Sequence, residues 1–193
     1  MTQRKKDDVR TAILEAAFRQ FSERSYTETT IPQIAREAGI STANVYVYFG
    51  SKLDILFTLY EPWLTGQLDR IEARLQRITS PERRMQQLLL AMWRDLPRAS
   101  NGFANNVMQA LSTSGNSGEY RPDLRRIFQR RLQAWIARTI EIDRRAADQL
   151  ASVVLMAFDG FAMNARLSGG VVCRRAMAST FVRLMGSATT RGT

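Results

Sequence analysis

The sequence predicts an all-α chain: an N-terminal three-helix helix-turn-helix domain, then a C-terminal helical bundle that forms a dimer interface. Two observations carry the all-helical class. Apolar residues recur at spacings of three and four along most of the 193 residues, the period of a helix with one buried face. No run of alternating apolar and polar residues bounded by hairpin turns interrupts them, so strands have no signature here.

The first helix is predicted over residues 7–23, with Val9, Ile13, Ala16, Ala17 and Phe21 on one face and Phe18 beside it. Arg4, Lys5 and Lys6 precede it as a basic, flexible arm that adds salt-dependent affinity for phosphates. The second helix opens at Thr30, where Thr30-Ile31-Pro32-Gln33 reads as a capping box with proline in the first turn. Ile34, Ala35 and Ala38 face inward, and Gly39 ends the helix by adopting positive φ. Ser41 caps a short third helix over residues 42–48, and Ser51 with Asp54 starts a long fourth one. Pro62 falls inside that fourth helix and is expected to kink or interrupt it.

Further helices are predicted from Pro81 to about residue 97, over residues 103–111, from about Arg121 to residue 142, from an Asp143 cap to about residue 167, and over residues 171–185. Ser112 to Gly118 reads as a loop, Gly169-Gly170 as a break, and the segment after Gly186 as a frayed tail. The domains are expected at residues 1–52 and 53–193.

Composition removes several function classes. Histidine is absent and Cys173 is the lone cysteine, which excludes Ser-His and Cys-His catalysis, an internal disulfide and multi-cysteine metal sites. No catalytic residue, metal or cofactor is expected, and Cys173 reads as a small apolar residue inside the last helix. Asp143 is assigned as a cap and Asp148 as a solvated charge, which leaves Asp159 the one unexplained acid. The apolar stretch Gln149 to Phe158 is shorter than the roughly 20 residues of a membrane helix. A cytoplasmic protein without membrane contact is the expectation. The formal charge is +10, but residues 1–54 hold eight Lys/Arg against seven Asp/Glu. The excess of cations thus lies outside the first 54 residues, most of it on solvated helix faces.

Two short helices joined around Gly39 form a helix-turn-helix, whose second helix enters the major groove. Val45 is its inward residue. Asn44 is suited to pair with adenine, Thr42 offers a hydroxyl and a methyl, and Ala43 and Val47 suit a thymine methyl. Tyr46 and Tyr48 are phenols placed for phosphates, Lys52 brings a cation to the start of the fourth helix, and the Thr30 cap turns a helix N-terminus towards the backbone.

Thr30, Ile34-Ala35, Ala38-Gly39-Ile40-Ser41, Tyr46-Val47-Tyr48-Phe49, Lys52 and Leu56 resemble, with unbroken spacing, the DNA-binding domain of the TetR/AcrR family of transcriptional regulators. The resemblance covers about the first 57 residues. It implies base contacts from Thr42, Ala43, Asn44 and Val47, and phosphate contacts from Thr30, Tyr46, Tyr48 and Lys52. Ile31 and Pro32 depart from it, since many relatives carry polar or basic residues there. It further implies a homodimer in which the last two long helices form a four-helix bundle with their mates. The interface expected is Leu150, Val154, Ala157, Phe158, Phe161, Met177 and Phe181, with Gly160 admitting a close partner helix. The apolar circumference of residues 146–161 points the same way. A small-molecule effector is expected in a pocket lined by Trp63, Leu89, Trp93, Phe103, Val107, Met108, Phe128, Trp135 and Asn164. The function so implied is a ligand-responsive repressor of a palindromic operator. The alternative is a DNA-binding architectural or partner-recruiting factor with no small-molecule ligand.

Overall fold

The structure is a computed structural model describing residues 3–98, 102–113, 123–164 and 173–189. The described residues form helices and no strand, in the order α1 (Gln3–Glu23), α2 (Ile31–Glu37), α3 (Thr42–Tyr48), α4 (Lys52–Gln76), α5 (Pro81–Leu90), α6 (Phe103–Thr113), α7 (Asp123–Thr139), α8 (Arg144–Asn164) and α9 (Arg175–Thr189). They fall into two compact units: Met1–Leu64 with Ser100–Pro122, and Thr65–Ala99 with Asp123–Thr193.

The first unit holds α1 to α3, the opening of α4, and α6. Ile13, Ala16, Ala17 and Phe21 of α1 are buried, with Ile31, Ile34 and Ala35 of α2, Val45 of α3, and Leu53, Ile55, Leu56 and Tyr60 of α4. Val9 is half-buried, and Phe18 lies on the surface. The arginine and lysines expected as a flexible arm lie instead in the first turns of α1, which begins at Gln3.

Local chemistry sets the α2–α3 corner. The Thr30 hydroxyl accepts from the Gln33 N–H at 3.4 Å, and the Gln33 side chain accepts from the Thr30 N–H at 2.7 Å, completing the capping box. At the other end Gly39 takes φ +70°. Its N–H reaches Arg36 O at 3.2 Å, and Ile40 N–H reaches Ala35 O at 3.0 Å. These two bonds define a Schellman stop, which calls for glycine at that position. Ser41 then caps α3 through the Asn44 N–H at 3.2 Å.

Pro62 does not interrupt α4, which runs unbroken from Lys52 to Gln76. Leu56, Tyr60, Leu64 and Leu68 are buried on both sides of the proline. Their packing outweighs one lost backbone hydrogen bond, so tertiary burial overrides the local propensity.

The second unit packs α8 against α7 and α9 against α5. Asp69 and Glu72 of α4 hold Arg131 of α7 at 2.7 and 2.6 Å, and Glu72 reaches Arg138 at 3.1 Å. These arginines are structural partners and not merely solvated. Pro81 opens α5 after a Ser80 cap, as expected. Its far end departs from expectation, because Ala91–Asp95 widens into a π turn closed by Leu96 N–H on Ala91 O at 2.9 Å. Asp143 caps α8 through the Ala146 N–H at 2.8 Å. By length and composition α8 could cross a membrane, yet Ala147, Ala151, Val154, Leu155, Phe158 and Ala162 are buried within its unit.

The last helix begins at Arg175, so Cys173 lies just before it and not inside it, although buried as expected. Burial pushes its thiol pKa up, which keeps it unreactive. The helix also continues past Gly186 to Thr189, where a frayed tail was expected. Ser112 and Thr113 end α6, while residues 114–118 of the expected loop and the Gly169-Gly170 break lie outside the described residues.

Asp159 sits on α8 opposite Arg125 at 3.7 Å. Burial raises its carboxyl pKa, and Arg125 offsets this only in part. A raised folded-state value means that the protonated acid is favoured by folding. That contribution is complete at acid pH and lost as pH rises through the folded value. Asp159→Asn should therefore raise the melting temperature at pH 7 by about 2 °C, the order a fraction of a kcal/mol gives a chain of this size. Scanning calorimetry from pH 4 to 8 checks it: the gap from wild type should close towards acid.

Candidate nucleic-acid interface

Helix α3 buries one side chain and displays the rest. Val45 is fully buried, whereas Val47 is 76% exposed and Tyr46 54%. An exposed valine and tyrosine on a seven-residue helix serve no core. Ala43 is exposed too, and Thr42, Asn44 and Tyr48 are half-buried. The Asn44 amide side chain makes no hydrogen bond among the described residues, since Ser41 takes only its backbone N–H. It remains able to pair with an adenine edge. The four side chains expected at bases thus share one short helix that Ser41 and the buried Phe49 fix at either end.

The residues expected at phosphates differ in how they are held. Tyr46 stands free on the surface. Thr30 is exposed, and its hydroxyl serves the capping box, donating to Gln33 Oε1 at 3.0 Å. Lys52 is more committed. Its ammonium donates to Tyr26 O at 2.7 Å and Thr29 O at 2.8 Å, over the Tyr26 ring at 4.2 Å. Burial lowers its pKa from the usual lysine value. Lys52 therefore fastens the α1–α2 turn through two of its three N–H donors.

Behind the reader lies a residue that sequence reasoning passed over. Asn106 of α6 is 1% exposed. Its Oδ1 accepts from the Tyr26 N–H at 2.8 Å, and its Nδ2 donates to Phe21 O at 3.1 Å and Tyr60 Oη at 2.9 Å. One amide thus ties α6 to the end of α1, to the following turn and to α4. Gly102 makes room for it: φ there is +67°, and a Cβ would lie 3.1 Å from Asn106 Nδ2. Thr27 adds a second tie, its N–H donating to Gln109 Oε1 at 3.1 Å. Asn106 is one asparagine among several polar residues of α6, and its partners lie more than 45 positions away, so no local pattern announces it.

The residues expected at an effector pocket are dispersed. Trp63, Val107 and Met108 are half-buried in the first unit, and nothing is described of the Phe103 side chain. In the second unit Leu89, Trp93, Phe128 and Trp135 are buried. The Trp93 indole donates to Val154 O at 3.0 Å, and its ring meets Phe161 and Phe181 at 5.6 and 5.1 Å. Phe128 meets Phe158 edge to face at 5.3 Å. Asn164 donates back to Gly160 O. Trp135 differs: its buried indole N–H has no hydrogen-bond partner among the described residues, and the residue lines a cavity of about 190 Å³ with Glu72, Gln76 and Arg84.

The dimer-interface expectation meets the same packing. Val154 and Phe158 are buried within the protomer, and Leu150, Ala157, Phe161 and Phe181 are half-buried. The exposed apolar residues are Val153, Met156 and Met163 on α8, and Met177 and Leu184 on α9. With the unobstructed Gly160, the three on α8 follow spacings of three and four.

A displayed second helix, a capped first helix and the tight stop at Gly39 between them define a helix-turn-helix. Residues 13–59 match the model for bacterial regulatory proteins of the tetR family, and the N-terminal domain belongs to that family. The chain is 40% identical over 87 residues to the HTH-type transcriptional regulator HbdR of Aromatoleum sp. (strain CIB). That match spans 45% of this chain and 37% of HbdR, so it covers little more than a third of that relative's length. A TetR-family transcriptional regulator from Pectobacterium atrosepticum superposes with TM-score 0.67 at 18% identity, covering 97% of this chain and 95% of that one. The regulator FadR of Bacillus subtilis, solved in complex with stearoyl-CoA, gives TM-score 0.61 at 16% identity over 90% of this chain and 96% of its own. At these identities the structural likeness is one of fold.

Proposed function

We propose that the chain is a ligand-responsive transcriptional repressor that binds a palindromic operator as a homodimer in the cytoplasm and leaves it when a small molecule binds. The observation that carries the reading is the display of Tyr46, Val47 and the uncommitted Asn44 amide on α3. The exposed apolar stripe of α8 supports a second copy of this chain as partner. Effector control is supported by α6, because Asn106 binds that helix to the reader's own turn. A displacement of α6 must either break those bonds or carry the turn along. The unpaired Trp135 indole offers an acceptor-bearing effector one fixed donor. No catalytic residue has a role in this scheme.

Fluorescence anisotropy with the duplex upstream of the chain's own gene tests the reading, and absence of binding at low salt would sink it. Within it, Tyr46→Ala should weaken operator and random DNA alike, by about tenfold. Asn44→Ala should cost about 1–3 kcal/mol at a single base position and relax preference there. Competition with single-base operator variants separates the two.

A further inference from the structure

Four arginines converge on one open groove in the second unit. Arg126 and Arg130 stand one turn apart on α7, and Arg144 and Arg145 open α8. The groove encloses about 670 Å³, with Gln129 and Gln133 completing its α7 wall. Its one carboxylate, Asp148, accepts from the Gln129 amide at 3.2 Å. Arg130, Arg144 and Arg145 are exposed and enter no ion pair among the described residues.

Asp148 lies four residues from Arg144 and three from Arg145 and offsets part of their charge, but four cations face this one carboxylate in the groove. Like charges four residues apart on a helix repel. Two cations in the first turn of α8 oppose the helix dipole, and that turn holds no acid. In the same unit Arg131 and Arg138 are matched with Asp69 and Glu72, whereas Arg130, Arg144 and Arg145 have no such match among the described residues. Local rules broken without structural return mark functional sites.

We propose that this groove binds a small anion carrying at least two phosphoryl groups, an organic or inorganic polyphosphate. Guanidinium forks match phosphoryl oxygens two at a time, and a phosphoryl chain concentrates the charge that four cations oppose. The α7 wall, residues 126–133, is about 10 Å long, the reach of a few linked phosphoryl groups and short for a polymer. A second copy of this chain is a poor occupant, since two-fold pairing would set arginines against arginines.

The test is calorimetric titration of the full-length protein with sodium tripolyphosphate at constant ionic strength. Wild type is compared with R130Q/R145Q and with R77Q/R98Q, which loses the same charge elsewhere. Saturable binding of one tripolyphosphate per chain, weakened about tenfold or more in R130Q/R145Q and unchanged in R77Q/R98Q, is expected. No saturable binding, or equal weakening in both variants, overturns the proposal. So does an R130Q/R145Q variant that keeps tripolyphosphate binding but loses affinity for duplex DNA or for phosphatidylglycerol vesicles. The titration needs no operator, so failure of the repressor reading leaves it interpretable.

Discussion

Replacing Asn106 with alanine is expected to lower the melting temperature by about 10 °C and to weaken operator binding with it. The side chain makes three hydrogen bonds inside the core, to Tyr26, Phe21 and Tyr60. Each is worth on the order of 1 kcal/mol, so their joint loss approaches about 3 kcal/mol. For a chain of this size each kcal/mol moves the transition by about 2–4 °C. The damage falls on the turn that leads into α2, so the reader should loosen before the whole chain melts. Thermal denaturation followed by circular dichroism, with anisotropy on the same samples, measures both. A transition within 2 °C of wild type would show that water replaces the amide at no cost and that the tie is incidental.

Met156→Arg is expected to leave the protein monomeric at micromolar concentration and to cut operator affinity about 100-fold. Met156 is 57% exposed on the α8 stripe, between Val153 and Met163. Two-fold pairing of that stripe would bury the new charge twice, once from each protomer. An uncompensated buried charge costs about 3–5 kcal/mol, and about 1.4 kcal/mol is tenfold in affinity. Sedimentation velocity reads the assembly state directly. Because the side chain is exposed in the protomer, the melting temperature of the dilute variant should change little. A dimer that survives the substitution would place the interface on another face.

The DNA reader was legible because its signals are local. Thr30 with Gln33, Gly39, Ser41 and Val45 each act within four residues, and all take the expected roles. What escaped depends on sequence-distant partners or on a choice between two apolar faces. Asn106 is defined by its contacts with Phe21, Tyr26 and Tyr60, which no spacing reveals. Lys52 reads as a surface cation until the carbonyls of Tyr26 and Thr29 come under it. Helix α8 is apolar around much of its girth, so periodicity cannot tell the side that faces its own bundle from the side left open. Val154 meets the Trp93 indole while its neighbour Val153 points outward. The π turn at Ala91–Asp95 and the unbroken α4 at Pro62 likewise answer to packing and not to propensity.

The Asn106 tie also bears on chimaeras. The matched family segment stops at residue 59, which invites transplanting that stretch onto a foreign effector module. Such a hybrid would leave behind the α6 amide that Tyr26 N–H and Phe21 O require, and would inherit whatever residue the host places there. Hybrids joined at residue 59 should express poorly unless the donor's residues 102–113 travel with the reader, so the smallest portable cassette is two separate stretches of chain.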